Sequence, residues 1–274
     1  MTAAARNSLL CPRCRKLISA DEAVCPYCGL SRPARKLFLT LLRFTTINPL
    51  LITVNIVFYL LSLLISLPRL NLHPDPFSFF SPSQEALFLL GATGTIPISL
   101  FGRWWTLISA SFLHGSLLHI LFNMLALAQL GPFVEREFGP YRFLIIFTIS
   151  GLSGFLLSYL AGIPFTIGAS AAICGFIGAI LYYGRSRGGL YGYAVYRQAV
   201  GWILGLIVYG LLFSAINNWA HGGGVLAGFV SARLLGYEDK NPTAPLHKLG
   251  GFICLGITVA VLLWSLWAAF SHFL

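Results

Sequence analysis

Ser170 sits in the run Gly168-Ala169-Ser170-Ala171-Ala172-Ile173-Cys174-Gly175 at the head of one apolar segment, and His221 heads another. A serine hydroxyl is a weak nucleophile, and a neutral imidazole in hydrogen-bond reach activates it near neutral pH by accepting its proton. His119 and Asn123 are four residues apart, which places them on one helical face about a turn from each other. Together with the backbone N–H of Ser170 at a helix start they are candidate donors to an oxyanion. No Asp or Glu lies in the apolar segments to complete a triad, so the chemistry available is that of a Ser170–His221 dyad.

Taken singly, these residues have plainer explanations. An intramembrane histidine or asparagine commonly bonds a neighbouring helix, and serine is common at helix starts and close helix contacts. The glycines tilt the balance. Gly168, Gly175 and Gly178 flank Ser170, and Gly222, Gly223, Gly224 and Gly228 follow His221. Small residues at this spacing let two helices approach closely, which would bring the imidazole to the hydroxyl.

The elements that must position these groups are membrane helices. The 274-residue chain is 57% hydrophobic and 9% charged with a mean hydropathy of +0.80, more apolar than a soluble core requires. The net charge of +10 comes from basic residues spread over loops between apolar stretches, where they set topology better than they bind nucleic acid. The segments 49–67, 116–130, 141–161, 170–183, 199–216, 221–235 and 249–270 are apolar enough to insert, giving seven spans. The first 36 residues hold cysteines, charges and prolines rather than a signal peptide and are expected to remain cytosolic.

Basic residues Arg6, Arg13, Arg15, Lys16, Arg32, Arg35, Lys36 and Arg43 precede the first span, and Arg69 and Arg103 alone fall outside under alternation. This bias orients the chain with its N-terminus inside and C-terminus outside. Spans 2, 4 and 6 then run inward together, so His114, His119, Ser170 and His221 converge near their outer ends. From 170 to 183 a helix reaches about 21 Å at about 1.5 Å per residue, short of a hydrocarbon core of about 30 Å. Ser170 is therefore expected below the outer surface, and the irregular stretch 162–169 at that depth must line a watery pocket or pack in protein. The first loop, 68–111, is broken by Pro74, Pro76, Pro82 and Pro97 yet carries Phe77, Phe79, Phe80, Phe88 and Trp104. It either lies partly in the outer leaflet or packs on the bundle.

A second kind of chemistry occupies the N-terminus. Cys11, Cys14, Cys25 and Cys28 form C-x2-C-x10-C-x2-C, the spacing of two knuckles that supply four thiolates to a tetrahedral zinc. About 20 residues cannot bury enough core to fold alone, and a metal supplies the missing stabilisation. With four cysteine ligands no coordination position is left for catalysis, so the zinc is structural. The segment resembles the short zinc ribbons attached to many prokaryotic membrane proteins. Its cytosolic partner is unknown, and Arg13, Arg15 and Lys16 make only a weak case for nucleic acid.

The pattern His114-x4-His119-x3-Asn123 on span 2 resembles the signature of rhomboid intramembrane serine proteases. Gly168-Ala169-Ser170 resembles their Gly-x-Ser nucleophile motif, Ala220-His221-x2-Gly224-x3-Gly228 their sixth-span base motif, and Gly131-x3-Glu135-x3-Gly139 the loop after span 2. The resemblance runs over 45–270 and implies an all-α polytopic fold: a six-helix bundle over 37–248 and a seventh C-terminal helix over 249–274, preceded by the ribbon and a basic linker over 1–36. It implies hydrolysis of peptide bonds in or beside transmembrane segments of membrane-protein substrates, with no cofactor for catalysis. Ser170 would be nucleophile, His221 base, and His119 and Asn123 oxyanion stabilisers. His114 would be structural, and Gly168 would shape the turn.

Two positions depart from the family pattern. The first-loop Trp-Arg pair reads Trp105-Thr106, with Arg103 nearby, and the aromatic four residues after the serine is Cys174. An inactive rhomboid-like client binder is the rival reading. A transporter with an ion held by His114, His119 and His221 lacks a carboxylate and leaves Ser170 unexplained. The expected location is a prokaryotic plasma membrane.

Overall fold

The computed structural model describes residues 8–11, 16–34, 47–67, 78–213 and 216–271, in two compact units, 1–46 and 47–274. In the first unit strand β1 (Ser8–Leu10) pairs antiparallel with β2 (Leu17–Ser19). Cys11, Ile18 and Cys25 are buried at its centre, with Leu9, Cys28 and Leu30 around them.

Among the described residues the second unit is built from seven long helices: α1 (Ile47–Ile65), α2 (Leu117–Phe138), α3 (Pro140–Leu160), α4 (Ser170–Arg187), α5 (Gly189–Leu212), α6 (Asn218–Leu235) and α7 (Pro245–Ser271). Five of them, α1, α2, α3, α5 and α7, are long and apolar enough to cross a membrane. The other two, α4 and α6, are the ones that carry Ser170 and His221. They are diluted by glycine, serine and arginine; protein surrounds α4, while α6 turns its small residues inward and leaves Trp219, Leu226 and Leu234 exposed. Helix α4 has 12 of its 18 residues buried and packs against α2, α3, α5 and α6.

Glycine makes that interior position possible. A methyl group on Gly228 would stand 2.0 Å from the carbonyl oxygen of Gly175, one on Gly224 would stand 2.1 Å from that of Ala171, and one on Gly178 would stand 2.1 Å from that of Val225. Helices α4 and α6 therefore meet backbone to backbone, where van der Waals packing replaces the hydrophobic drive that lipid does not supply.

Helix ends are set locally and then tied across the bundle. Gly139, with φ of +79°, ends α2, and Pro140 opens α3, the glycine-stop and proline-start arrangement that the backbone favours. Glu135, near the end of α2, accepts from the backbone N–H groups of Ile47 and Asn48 at 3.3 and 3.1 Å. It thereby fills the open N-terminus of α1 with a negative charge. The seventh helix docks through Arg142, which is fully buried. Arg142 donates to the Phe138 carbonyl at 3.0 Å and to the Asn241 carbonyl, bonds His247 Nδ1 at 3.0 Å and pairs with Glu238 at 3.2 Å.

Several helices run further than their apolar stretches, α2 by eight residues to Phe138. Helix α4 continues through Arg185, Ser186 and Arg187, so its 18 residues reach about 27 Å rather than 21 Å, its polar last turn extending beyond the apolar part. Helix α5 starts at Gly189, ten residues before the apolar run, because Gly184 and Gly192 let the two helices touch there, and it ends at Leu212, four residues before that run does.

The described part of the first loop is a chain of short helices, Gln84–Leu89, Ile96–Leu100 and Thr106–Ser109, while Pro74, Pro76 and Phe77 lie outside the described residues. It carries both sequence readings. Leu90, Ala92 and Ile98 are buried on the bundle, while Leu100, Phe101 and Trp104 are exposed, an apolar rim suited to a lipid interface.

Candidate active site

Three helices bring their first turns to one place. His119 lies in the first turn of α2, Ser170 is the first residue of α4, and His221 lies in the first turn of α6. His221 Nε2 stands 2.9 Å from Ser170 Oγ, a hydrogen bond of ordinary length between a candidate base and its nucleophile. The other imidazole nitrogen, Nδ1, is buried without a partner among the described residues. Ser170 and His221 therefore stand as a candidate dyad.

Placement of His221 depends on Asn217, a residue that motif reading overlooked. Its side-chain oxygen accepts from Ala220 N–H at 3.1 Å and caps α6. Its amide donates to Ser158 Oγ at 2.6 Å and Thr166 Oγ1 at 3.0 Å, tying α6 to α3 and to the loop before Ser170. An asparagine at the residue before an apolar segment is the sequence signal that could have revealed it.

That loop is stitched in turn to the first loop. Thr93 and Thr166 exchange backbone hydrogen bonds at 3.1 and 2.7 Å, Thr95 N–H donates to Ile163, and Ile96 N–H donates to Pro164. The irregular segment 162–169 is thus tied to protein, with Thr166, Gly168 and Ala169 buried and Gly162 and Pro164 exposed, and its buried part meets one of the two conditions for such backbone at membrane depth.

Gly168 has φ of +122°, and a β-carbon there would lie 2.7 Å from His119 Nε2 and 3.6 Å from Ser170 Oγ. Both conformation and space demand glycine. His119 Nδ1 accepts from the backbone N–H of Gly115 at 3.2 Å, which leaves the proton on Nε2, the nitrogen beside Gly168. Asn123 donates one amide N–H to the His119 carbonyl at 2.8 Å, keeping its second N–H available. His114 is fully buried, with neither ring nitrogen bonded among the described residues, and its ring meets that of His119 edge to face at 5.0 Å. Its contact with the site is therefore through packing.

Arg103, not Thr106, brings a charged side chain to this part of the first loop. Its guanidinium donates to the carbonyls of Phe88 and Leu89 at 2.6 and 3.2 Å and lies over the rings of Phe88 and Trp105 at 4.4 and 4.7 Å. It thereby locks the end of Gln84–Leu89 to the turn that opens Thr106–Ser109. Thr106 bonds Thr93 at 3.0 Å instead. Cys174 is buried in α4.

In the N-terminal unit the ligand atoms of Cys11, Cys25 and Cys28 all lie within 4.8 Å of one another, and Cys11 Sγ is 3.7 Å from Cys28 Sγ. Tetrahedral zinc with bonds of about 2.3 Å separates its sulfur ligands by about 3.8 Å, whereas a disulfide would hold them about 2.05 Å apart. The residues fit a metal. Burial disfavours the Cys25 thiolate, yet backbone hydrogen bonds from Tyr27 and Cys28, with the Cys11 and Cys28 thiols, bring its pKa down from 9.0 to about 7. Cys14 lies outside the described residues.

The bundle and its recessed polar cluster define a helical, multi-pass integral membrane protein. The Rhomboid domain matches residues 101–238, a stretch that contains every residue of the cluster, and the chain belongs to the rhomboid family. It is 35% identical over 156 residues to the rhomboid protease GluP of Bacillus subtilis, a match covering 57% of this chain and 31% of that protein. It is 36% identical over 137 residues to RHOMBOID-like protein 5 of Arabidopsis thaliana, covering 47% of this chain and 43% of that one. RHOMBOID-like protein 6, mitochondrial, of the same plant is 32% identical over 159 residues, covering 55% and 50%. The match thus spans half or less of these relatives' own length.

Proposed function

We propose that the protein is an intramembrane serine endopeptidase that cleaves transmembrane or juxtamembrane segments of other membrane proteins through Ser170 and His221. The observation that carries this reading is the 2.9 Å approach of His221 Nε2 to Ser170 Oγ. The relative named a protease supports it.

In this mechanism His221 Nε2 takes the hydroxyl proton as Ser170 Oγ attacks the carbonyl carbon of the scissile bond. The C–O bond forms, and the carbonyl oxygen becomes an oxyanion. Its donors are the Ser170 N–H at the head of α4, the protonated Nε2 of His119, and the second amide N–H of Asn123. Collapse breaks the C–N bond as His221 returns the proton to the leaving amine. A water molecule, deprotonated by the same imidazole, then releases the acyl group and regenerates Ser170.

The N-terminal four-cysteine segment is a structural zinc ribbon with Cys14 as the fourth ligand, and catalysis needs no cofactor. The ribbon and linker over 1–36 face the cytosol, the catalytic bundle covers 37–248, and the last helix ends outside, in a prokaryotic plasma membrane. Ser170→Ala and His221→Ala, compared with wild type on a single-span test substrate in liposomes, test the reading. Cleavage should vanish in both, and fluorophosphonate labelling should vanish in Ser170→Ala. Cleavage that survives Ser170→Ala refutes the dyad.

A further inference from the structure

Helices α4, α5 and α6 line a half-open slot that touches the hydrolytic site only at His221. It has a volume of about 650 Å³ and is walled by apolar side chains, among them Leu181, Ile203, Ile207, Val225 and Phe229. Arg185 and Tyr196 stand at one end, and Asn218 and His221 stand at the other.

The slot is pinned at both ends. At the Arg185 end a methyl on Gly184 would lie 2.5 Å from the Tyr196 backbone nitrogen, so α4 and α5 are in backbone contact there. At the His221 end Asn218 donates to the Gly210 carbonyl at 2.9 Å, joining α6 to α5. Between these two points the helices part.

Its shape selects the occupant. From Tyr196 to Leu211 the slot runs about 22 Å at about 1.5 Å per residue, more than one leaflet's share, about 15 Å, of the hydrocarbon core. A helix about 10 Å across would have to break both pins to enter between α5 and the other two helices. An extended hydrocarbon chain fits.

The charge at the mouth selects the headgroup. Arg187 is paired with Asp239 at 3.4 Å, and Lys240 donates to Ser186 at 3.0 Å. Arg185 is exposed, and among the described residues it has no carboxylate partner. A cation at the polar end of an apolar slot, at the membrane surface, complements a phosphate.

We infer that the slot binds one acyl chain of an anionic phospholipid from the leaflet at the Arg185 end, with Arg185 on its phosphate and the chain reaching toward His221. The full chain in vesicles tests this with a phosphatidylglycerol carrying a photoreactive diazirine near the end of one acyl chain, against the matching phosphatidylcholine. Adducts mapped by mass spectrometry should fall in 203–211 and 221–229 and should exceed those from phosphatidylcholine severalfold. Arg185→Ala should erase that preference, and Ile207→Trp, which fills the slot, should remove the adducts from both segments. Leu206→Trp serves if Ile207→Trp lowers the thermal midpoint in detergent.

Adducts scattered over the outer faces of α1 and α7, or equal yields from both lipids in wild type and Arg185→Ala, overturn the proposal. So does a benzophenone-bearing single-span peptide that labels the slot in place of lipid. The readout involves no peptide cleavage, so its result is independent of the catalytic reading.

Discussion

Gly168 presents its α-carbon to His119 so closely that one added methyl group would stand 2.7 Å from the imidazole Nε2. The nucleophile turn and the candidate oxyanion donor are therefore packed as one object, with Ser170 two residues further on.

Gly168→Ala should disable the site while leaving the bundle folded. The φ of +122° adds about 1–3 kcal/mol of backbone strain for alanine, and His119 must move aside. Cleavage of a single-span substrate should fall at least about 100-fold, the scale of losing one oxyanion donor, with the thermal midpoint only slightly lowered.

His119→Ala separates transition-state stabilisation from nucleophile activation. The Ser170–His221 hydrogen bond remains, so fluorophosphonate should still label Ser170, more slowly. The value of kcat should drop by about 10²–10³ with little change in KM. A large rise in KM with kcat unchanged would place His119 in substrate binding instead.

Gly228→Ala tests whether the dyad distance is a packing distance. The new methyl would meet the Gly175 carbonyl at 2.0 Å, forcing α6 away from α4 at a cost of about 1–3 kcal/mol. A lowered thermal midpoint in detergent and a loss of cleavage should appear together. Gly222→Ala, at a position with open space around its α-carbon, should leave the midpoint unchanged.

Arg142→Ala should loosen the seventh helix. It removes a buried cation bonded to the Phe138 and Asn241 carbonyls and to His247. Its partner Glu238 is 35% exposed, and solvent screening reduces the expected loss to about 1–3 kcal/mol. Limited proteolysis between α6 and α7 should accelerate, and fluorophosphonate labelling of Ser170 should persist.

Metal analysis of the purified chain should find about one zinc per chain, as four thiolates in two knuckles require. Cys11→Ser, Cys14→Ser and Cys25→Ser should each lower that content and expose the N-terminal unit to protease, while cleavage of substrate in liposomes continues. Zinc content unchanged by all three substitutions would exclude the ribbon.

The membrane class, the count of long helices and the candidate polar cluster were legible in the order of residues. They depend on local quantities: the length of apolar runs, glycines at helical spacing, and polar residues where lipid would exclude them. The four-cysteine spacing was legible for the same reason, since a knuckle is closed within a few residues. Ser170 and His221 could be named as partners from the glycines beside each.

What only the tertiary structure decided are the relationships between distant backbones. The tautomer of His119 follows from the Gly115 N–H, and the entry of α6 follows from Asn217 reaching Ser158 and Thr166. Arg103 bridges the first loop by bonding the Phe88 and Leu89 carbonyls, a contact that side-chain type cannot announce because its acceptors are peptide groups. The slot beside His221 exists because α5 touches α4 at one end and α6 at the other. Hydropathy records how much surface each helix can give to lipid. It does not record where two helices part, because that is settled by the few close contacts that hold their ends.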